Sequence, residues 1–128
     1  MALLELITVA TFVMAGPIGH PVTGPDGSEL LRACTATVRQ ADGATLNAED
    51  AARSVWCVGY VGGFLDGLAV MNWRGGASPV CLPQNGIENE QAVRIVVKYL
   101  RNHPEQLHES GRIAVVVAIG EAFKCSAP

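Results

Sequence analysis

From Ser28 onward, apolar positions recur in four segments at the three-, four- and seven-residue spacings of an amphipathic helix, separated by polar or Pro/Gly-bearing breaks. In the first segment Leu30, Leu31, Cys34 and Val38 share one face, Ser28 is placed to cap it, and Asp42-Gly43 ends it beyond Gln40. Asn47 caps the second, with Glu49 and Asp50 in its first turn, where carboxylates complement the helix dipole. The stretch Val55 to Met71 carries a single charged residue, Asp66, and a helix apolar on all sides is expected to be buried. Gly59, Gly63 and Gly67 recur there at four-residue intervals, beside Gly62. An interior glycine costs about 1 kcal/mol against alanine, so the series predicts another backbone pressed along that face.

The third segment runs from Ile87 to Arg101, with Val93, Val96, Val97 and Leu100 on one stripe, Glu90 placed to pair with Arg94, and Pro104 as the stop. Ser110 opens the fourth, which reaches Lys124 with Ile113, Val116, Val117 and Phe123 expected to face inward. Its run Ile113 to Ile119 has the composition of a strand as well, but no second strand is available to pair with it. The fold class is therefore all-α, a small bundle of about four helices arranged as two hairpins.

Cysteine placement sharpens that picture. Cys34 and Cys57 lie 11 and 12 residues either side of Thr45, in the first break, and Cys81 and Cys125 stand 24 and 20 residues from Glu105, in another. Antiparallel hairpins turning at those breaks bring each pair level. Four cysteines allow three connectivities, and this symmetry favours Cys34 with Cys57 and Cys81 with Cys125. Three rival readings use the same residues: a zinc site, a catalytic cysteine partnered by His103 or His108, and four reduced core thiols. Gaps of 23, 24 and 44 residues contain no close ligand pair, which argues against zinc. The expectation is no metal, no cofactor and no catalytic residue.

The chain holds 128 residues, enough for one core, with 49% apolar, 5% aromatic and 16% charged residues. A formal charge of −3 provides no footprint for nucleic acid. Residues Leu3 to Met14 form an apolar run, followed by the small-residue pattern Val13-Met14-Ala15-Gly16 and a Pro/Gly-rich stretch to Gly27. That is the order of parts in an export signal, although no Lys or Arg precedes Arg32. Residues 1–27 are thus read as a signal-like segment and flexible spacer, and 28–128 as the helical domain. Small residues at every fourth position also suit a membrane helix. The internal Asp66 and four glycines over so short a run count against stable insertion.

Between Asn72 and Gly86 lies the longest irregular stretch of the domain. Trp73 and Arg74 are residue types that anchor protein interfaces. The contact candidates are the segment Trp73 to Ser78, with Trp73 and Arg74, and the turn Glu105 to Ser110, with Glu105, His108 and Glu109.

Four pieces in order carry a resemblance: Cys57-Val58-Gly59-Tyr60-Val61-Gly62-Gly63-Phe64-Leu65-Asp66-Gly67; Cys81-Leu82-Pro83; Tyr99-Leu100-Arg101-Asn102-His103-Pro104-Glu105; and Phe123-Lys124-Cys125. The set resembles the Rap/Tai family of type VI secretion immunity proteins. The resemblance implies a small helical periplasmic protein, often a dimer, that binds and blocks a peptidoglycan amidase and is not itself an enzyme. Its motif residues Gly59, Tyr60, Gly63, Asp66, Gly67, Pro83, Tyr99, Leu100, His103, Pro104 and Glu105 read as scaffold. The alternative class is a stand-alone periplasmic binding or chaperone-like module without an amidase target.

Overall fold

The structure, a computed structural model, describes residues 24–126 and is all-α. Helices α1 (Gly27–Ala41), α2 (Ala48–Trp73), α3 (Asn89–Asn102) and α4 (Gly111–Ala122) follow one another, with a 3₁₀ turn at Pro104–Gln106. The expected signal segment lies outside the described residues.

Each helix start has a local cause. Asp26, not Ser28, caps α1: its carboxylate accepts from the Glu29 N–H at 2.8 Å, and the Glu29 side chain accepts from the Asp26 N–H in return. Ser28 instead donates its hydroxyl to Asp26 at 2.7 Å. Asn47 caps α2 as expected, accepting from the Asp50 N–H at 2.8 Å. Glu90 pairs with Arg94 at 2.9 Å, and Arg94 also reaches Asp42 at 2.6 Å, joining α3 to the α1–α2 turn.

Helices α1 and α2 form the first hairpin, stapled by Cys34–Cys57; α3 lies against α1, and α4 against α3. Cys81–Cys125 ties the long loop to the end of α4. Both pairings are those that the hairpin symmetry favours. The core centres on Leu30, Val61, Val93, Val96, Leu100, Val115 and Ile119, all fully buried. Each such side chain contributes about 1.5–3 kcal/mol relative to exposure. Two polar side chains enter the α1–α2 seam with partners: Thr37 donates to the Ser54 carbonyl at 3.2 Å, and Ser54 donates to Gln40 at 2.9 Å.

Three expectations are corrected. Helix α2 is not buried all round; its buried stripe is Ser54, Cys57, Val61, Leu65 and Leu68, while Val55 is 75% exposed and Val70 and Met71 are exposed too. No backbone presses on its glycines either, since a Cβ at Gly59, Gly63 or Gly67 would meet nothing within 4 Å, and one at Gly62 would meet the Asn89 side chain. In α4 the inward positions are Ala114, Val115, Ala118 and Ile119; Ile113 is 53% exposed, and Val116, Val117 and Phe123 are half-buried. Small Ala114 and Ala118 let α4 approach closely, which sets its register against the larger side chains flanking them.

Residues Pro25 to Ser28 are tied to the turn before α4. The Gly27 N–H donates to the Glu109 carbonyl at 2.9 Å, the Ser28 N–H to Leu107 at 3.0 Å, and the Gly111 N–H to Pro25 at 2.8 Å. The start of α1 is thereby closed on the start of α4.

Candidate functional site

Three surfaces carry the residues singled out by the sequence. The first is the end of α2. Trp73 is 86% exposed, and Arg74 beside it is exposed as the helix cap. Backbone bonds from Arg74, Gly75 and Gly76 to the last turn hold this corner, and Gly75 takes a φ of +72° that suits glycine. Val80 is buried further on, so the loop is anchored behind a projecting tip.

The second surface is the turn at Glu105 to Ser110. His103 stacks on Tyr99 with centroids 4.2 Å apart, and its Nδ1 lies 2.8 Å from the Tyr99 carbonyl. The Tyr99 hydroxyl donates to Gln106 at 2.6 Å, while burial pushes its pKa upward. Tyr99, Leu100 and His103 therefore shape the turn from beneath. Glu105, His108 and Glu109 are exposed above them, and His108 Nε2 lies 3.2 Å from Glu109. Among the described residues no hydrogen bond or ion pair joins this turn to the Trp73 corner: the turn is bonded to α1, the corner to α2.

The third surface was hidden in the sequence. Helix α2 presents Trp56, Gly59, Gly63, Asp66, Gly67 and Val70 on the side away from its buried stripe, with Tyr60 half-buried at the edge of that face. Trp56 stacks on Tyr60 at 5.1 Å, and the pair walls an open groove of about 700 Å³ whose other lining includes Glu29, Arg32 and Arg53. Burial raises the Tyr60 pKa, against the opposing effect of Arg112 nearby. The signal that would have revealed this surface is Cys57. Once it is paired inward with Cys34, every residue half a turn away on α2 must face out.

The motif residues thus divide. Cys57, Tyr99, Leu100 and His103 are structural contacts, Gly59, Gly63, Asp66 and Gly67 lie on the outward face of α2, and Pro83 sits in the exposed long loop. Helix α2 spans 26 residues with a mean hydropathy of 1.4 in its most apolar window, enough by length and composition to cross a membrane. Its buried stripe and its disulfide are nevertheless committed to the bundle. All four cysteines are in disulfides, so none offers a free thiol. Among the described residues no three His, Cys, Asp or Glu side chains gather in a metal-binding group.

A family model described as Rap1a immunity proteins matches residues 26–125, the whole span from the α1 cap to the last cysteine. No curated protein and no solved structure matches the chain. The ordered motifs, the helical bundle and the family match agree: this chain belongs to the Rap1a immunity protein family.

Proposed function

We propose that the protein is a periplasmic immunity protein that binds a peptidoglycan amidase effector of a type VI secretion system and covers its active site. The observation that carries the reading is the family match over the entire described bundle. An immunity protein acts by binding an effector protein, so the functional question is which surface makes the contact. The reading assigns no catalytic, metal or cofactor site.

Compartment follows from redox chemistry. Two disulfides, one of them exposed at Cys81–Cys125, persist in an oxidising space and are reduced in most cytosols, which supports export. The apolar run before Ala15 would supply the signal. A cysteine hydrolase needs a thiolate, and both candidate sulfur pairs are already bonded to each other.

For the contact, the projecting corner Trp73 to Ser78 and the turn bearing Glu105, His108 and Glu109 fit an enzyme cleft better than any concave surface of this protein would. Each rises from anchored backbone, so little ordering entropy is lost on binding. The test is to express the protein with candidate peptidoglycan amidase effectors of type VI secretion systems and measure stoichiometric binding and peptidoglycan hydrolysis. Full inhibition at one inhibitor chain per amidase supports the reading. Binding of many unfolded proteins at low pH, with no effect on any amidase, would replace it with a chaperone-like module.

A further inference from the structure

Arg32, Arg53 and Arg112 meet around the groove between α1 and α2. Glu29 and Arg32 line it from α1, Arg53, Trp56 and Tyr60 from α2, and Pro25 stands at its rim. Gly24, on the same rim, lies so near Arg112 of α4 that an added Cβ would stand 3.3 Å from its Nη2 and 3.8 Å from the Tyr60 hydroxyl. Three of the chain's nine Lys and Arg residues thus gather at one place on a protein of net charge −3, which makes the groove a local cationic site. The acids nearby are already engaged. Glu29 stands three residues before Arg32, but its carboxylate accepts from the Asp26 N–H at 3.2 Å in the α1 cap. Glu49 and Asp50 hold the two terminal nitrogens of Arg53, which fixes that guanidinium and offsets its charge. Arg32 is exposed, acts on Asp26 only through space, and makes no hydrogen bond or ion pair among the described residues. In the same groove Trp56, 42% exposed, is braced by its stack on Tyr60. An unanswered guanidinium and a braced, half-open indole in one groove select a ligand that joins a carboxylate to an apolar group.

We propose that this groove receives an acidic segment of the effector protein, with a carboxylate on Arg32 and an adjacent apolar side chain against Trp56. The proposal rests on the reading of the chain as an immunity protein, and it adds a receiving surface to the projecting ones. Trp, Tyr and Arg are the residue types that dominate protein interfaces, and a planar guanidinium takes a carboxylate through two parallel N–H donors.

Position points to the same partner. The Pro25 carbonyl accepts from the Gly111 N–H at 2.8 Å, and the Gly27 N–H donates to the Glu109 carbonyl at 2.9 Å, so the groove rim and the turn at Glu105 to Ser110 are one hydrogen-bonded piece. An effector whose cleft takes that turn would bring its own edge across Pro25 to the groove. The turn carries Glu105 and Glu109 while the groove carries Arg32, so the matching effector surface is basic at its cleft and acidic at its edge.

The test reads tryptophan emission. The chain has two tryptophans, so in the Trp73→Phe background Trp56 is the sole emitter. The probe is a capped peptide of glutamates around a single phenylalanine, titrated beside its glutamine counterpart. The expected result is a saturable change in Trp56 emission with the acidic peptide alone, weakened by salt and weakened about tenfold by Arg32→Ala. Because Arg32 bonds to none of the described residues, Arg32→Ala should leave the helical circular dichroism unchanged. No response, an equal response to both peptides, or a response indifferent to Arg32→Ala overturns the proposal. A response to a chitin oligosaccharide in place of the acidic peptide also overturns it, and assigns the groove to a glycan. None of these readouts needs an amidase. A chain that answers the acidic peptide but inhibits no amidase keeps the groove as a peptide site and removes the proposed function. An amidase inhibited equally by the parent and by Arg32→Ala keeps that function and overturns the groove's part in it.

Discussion

Asp26 and Ser110 form an isolated antiparallel bridge that locks the start of α1 to the start of α4. Gly111 lies at the centre of this lock: a Cβ there would stand 2.9 Å from the Pro25 carbonyl, a distance that real Cβ contacts do not tolerate. Gly111→Ala is therefore expected to destabilise the domain by about 1–3 kcal/mol through forced backbone movement. Gly59→Ala, on a helix with open space, should instead stabilise it by about 0.5–1 kcal/mol. Urea unfolding of the two variants checks the contrast, and equal signs would show that local space does not decide the outcome.

That contrast also marks what the sequence could reveal. The two hairpins were legible because Cys34 and Cys57 flank one polar break and Cys81 and Cys125 flank another, and crosslinks are strong constraints on topology. The outward face of α2 was not legible, because apolar content says that a surface wants cover without saying what covers it. Val55, Trp56, Val70 and Met71 look like core residues by hydropathy, yet one helix in a four-helix bundle has neighbours on one side only. The register of α4 was missed for a related reason: in Ile113 to Ile119 every position is apolar, so periodicity cannot choose a face, and the choice falls to the small Ala114 and Ala118. The candidate contact residues Trp73 and His108 were legible as types that seek partners, while their exposure required the fold.

The two disulfides should differ in lability. Cys34–Cys57 is fully buried, whereas both sulfur-bearing residues of Cys81–Cys125 are exposed. Titration with a mild reductant under native conditions is expected to open Cys81–Cys125 first, read by mass after alkylation, with Cys34–Cys57 opening on unfolding. On the chain-entropy account the closed loops contribute about 3.5 and about 4 kcal/mol respectively, so replacing either pair should cost a large share of the domain's stability. Simultaneous reduction of both would contradict the burial argument.

Acid should act through the α1 cap. The Glu29 backbone N–H, and then the Ser28 hydroxyl, hold the Asp26 carboxyl below its ordinary value of 3.8. Because the folded value lies below the unfolded one, this contribution is present above the unfolded pKa and is lost as pH falls through the folded pKa. Stability should therefore decline below about pH 4 in part through this group. Asp26→Asn keeps an oxygen to cap the helix but removes the ionisation-linked contribution, so neutral-pH stability should fall modestly while the acid limb of the stability curve becomes shallower. Chemical denaturation at a series of pH values measures it, and an unaltered acid limb would place the acid sensitivity elsewhere.

Trp73 and Arg74 carry the sharpest prediction about function. A tryptophan 86% exposed at a helix end costs solubility and contributes no packing, so alanine there should leave Tm within about 2 °C of the parent. Were the corner an anchor in an amidase cleft, the same substitution would remove a large aromatic contact of the kind that dominates interfaces, with an expected loss of binding above tenfold. Arg74→Ala should weaken binding less in high salt than in low, because a rim charge acts largely through screened attraction. Glu105→Ala, His108→Ala and Glu109→Ala serve as the parallel set for the second turn. Calorimetric titration against the cognate amidase separates the two surfaces: unchanged affinity for Trp73→Ala together with loss in the second set would move the contact to the turn above Tyr99. Loss in both sets would mean that the effector spans the end of α2 and the turn before α4.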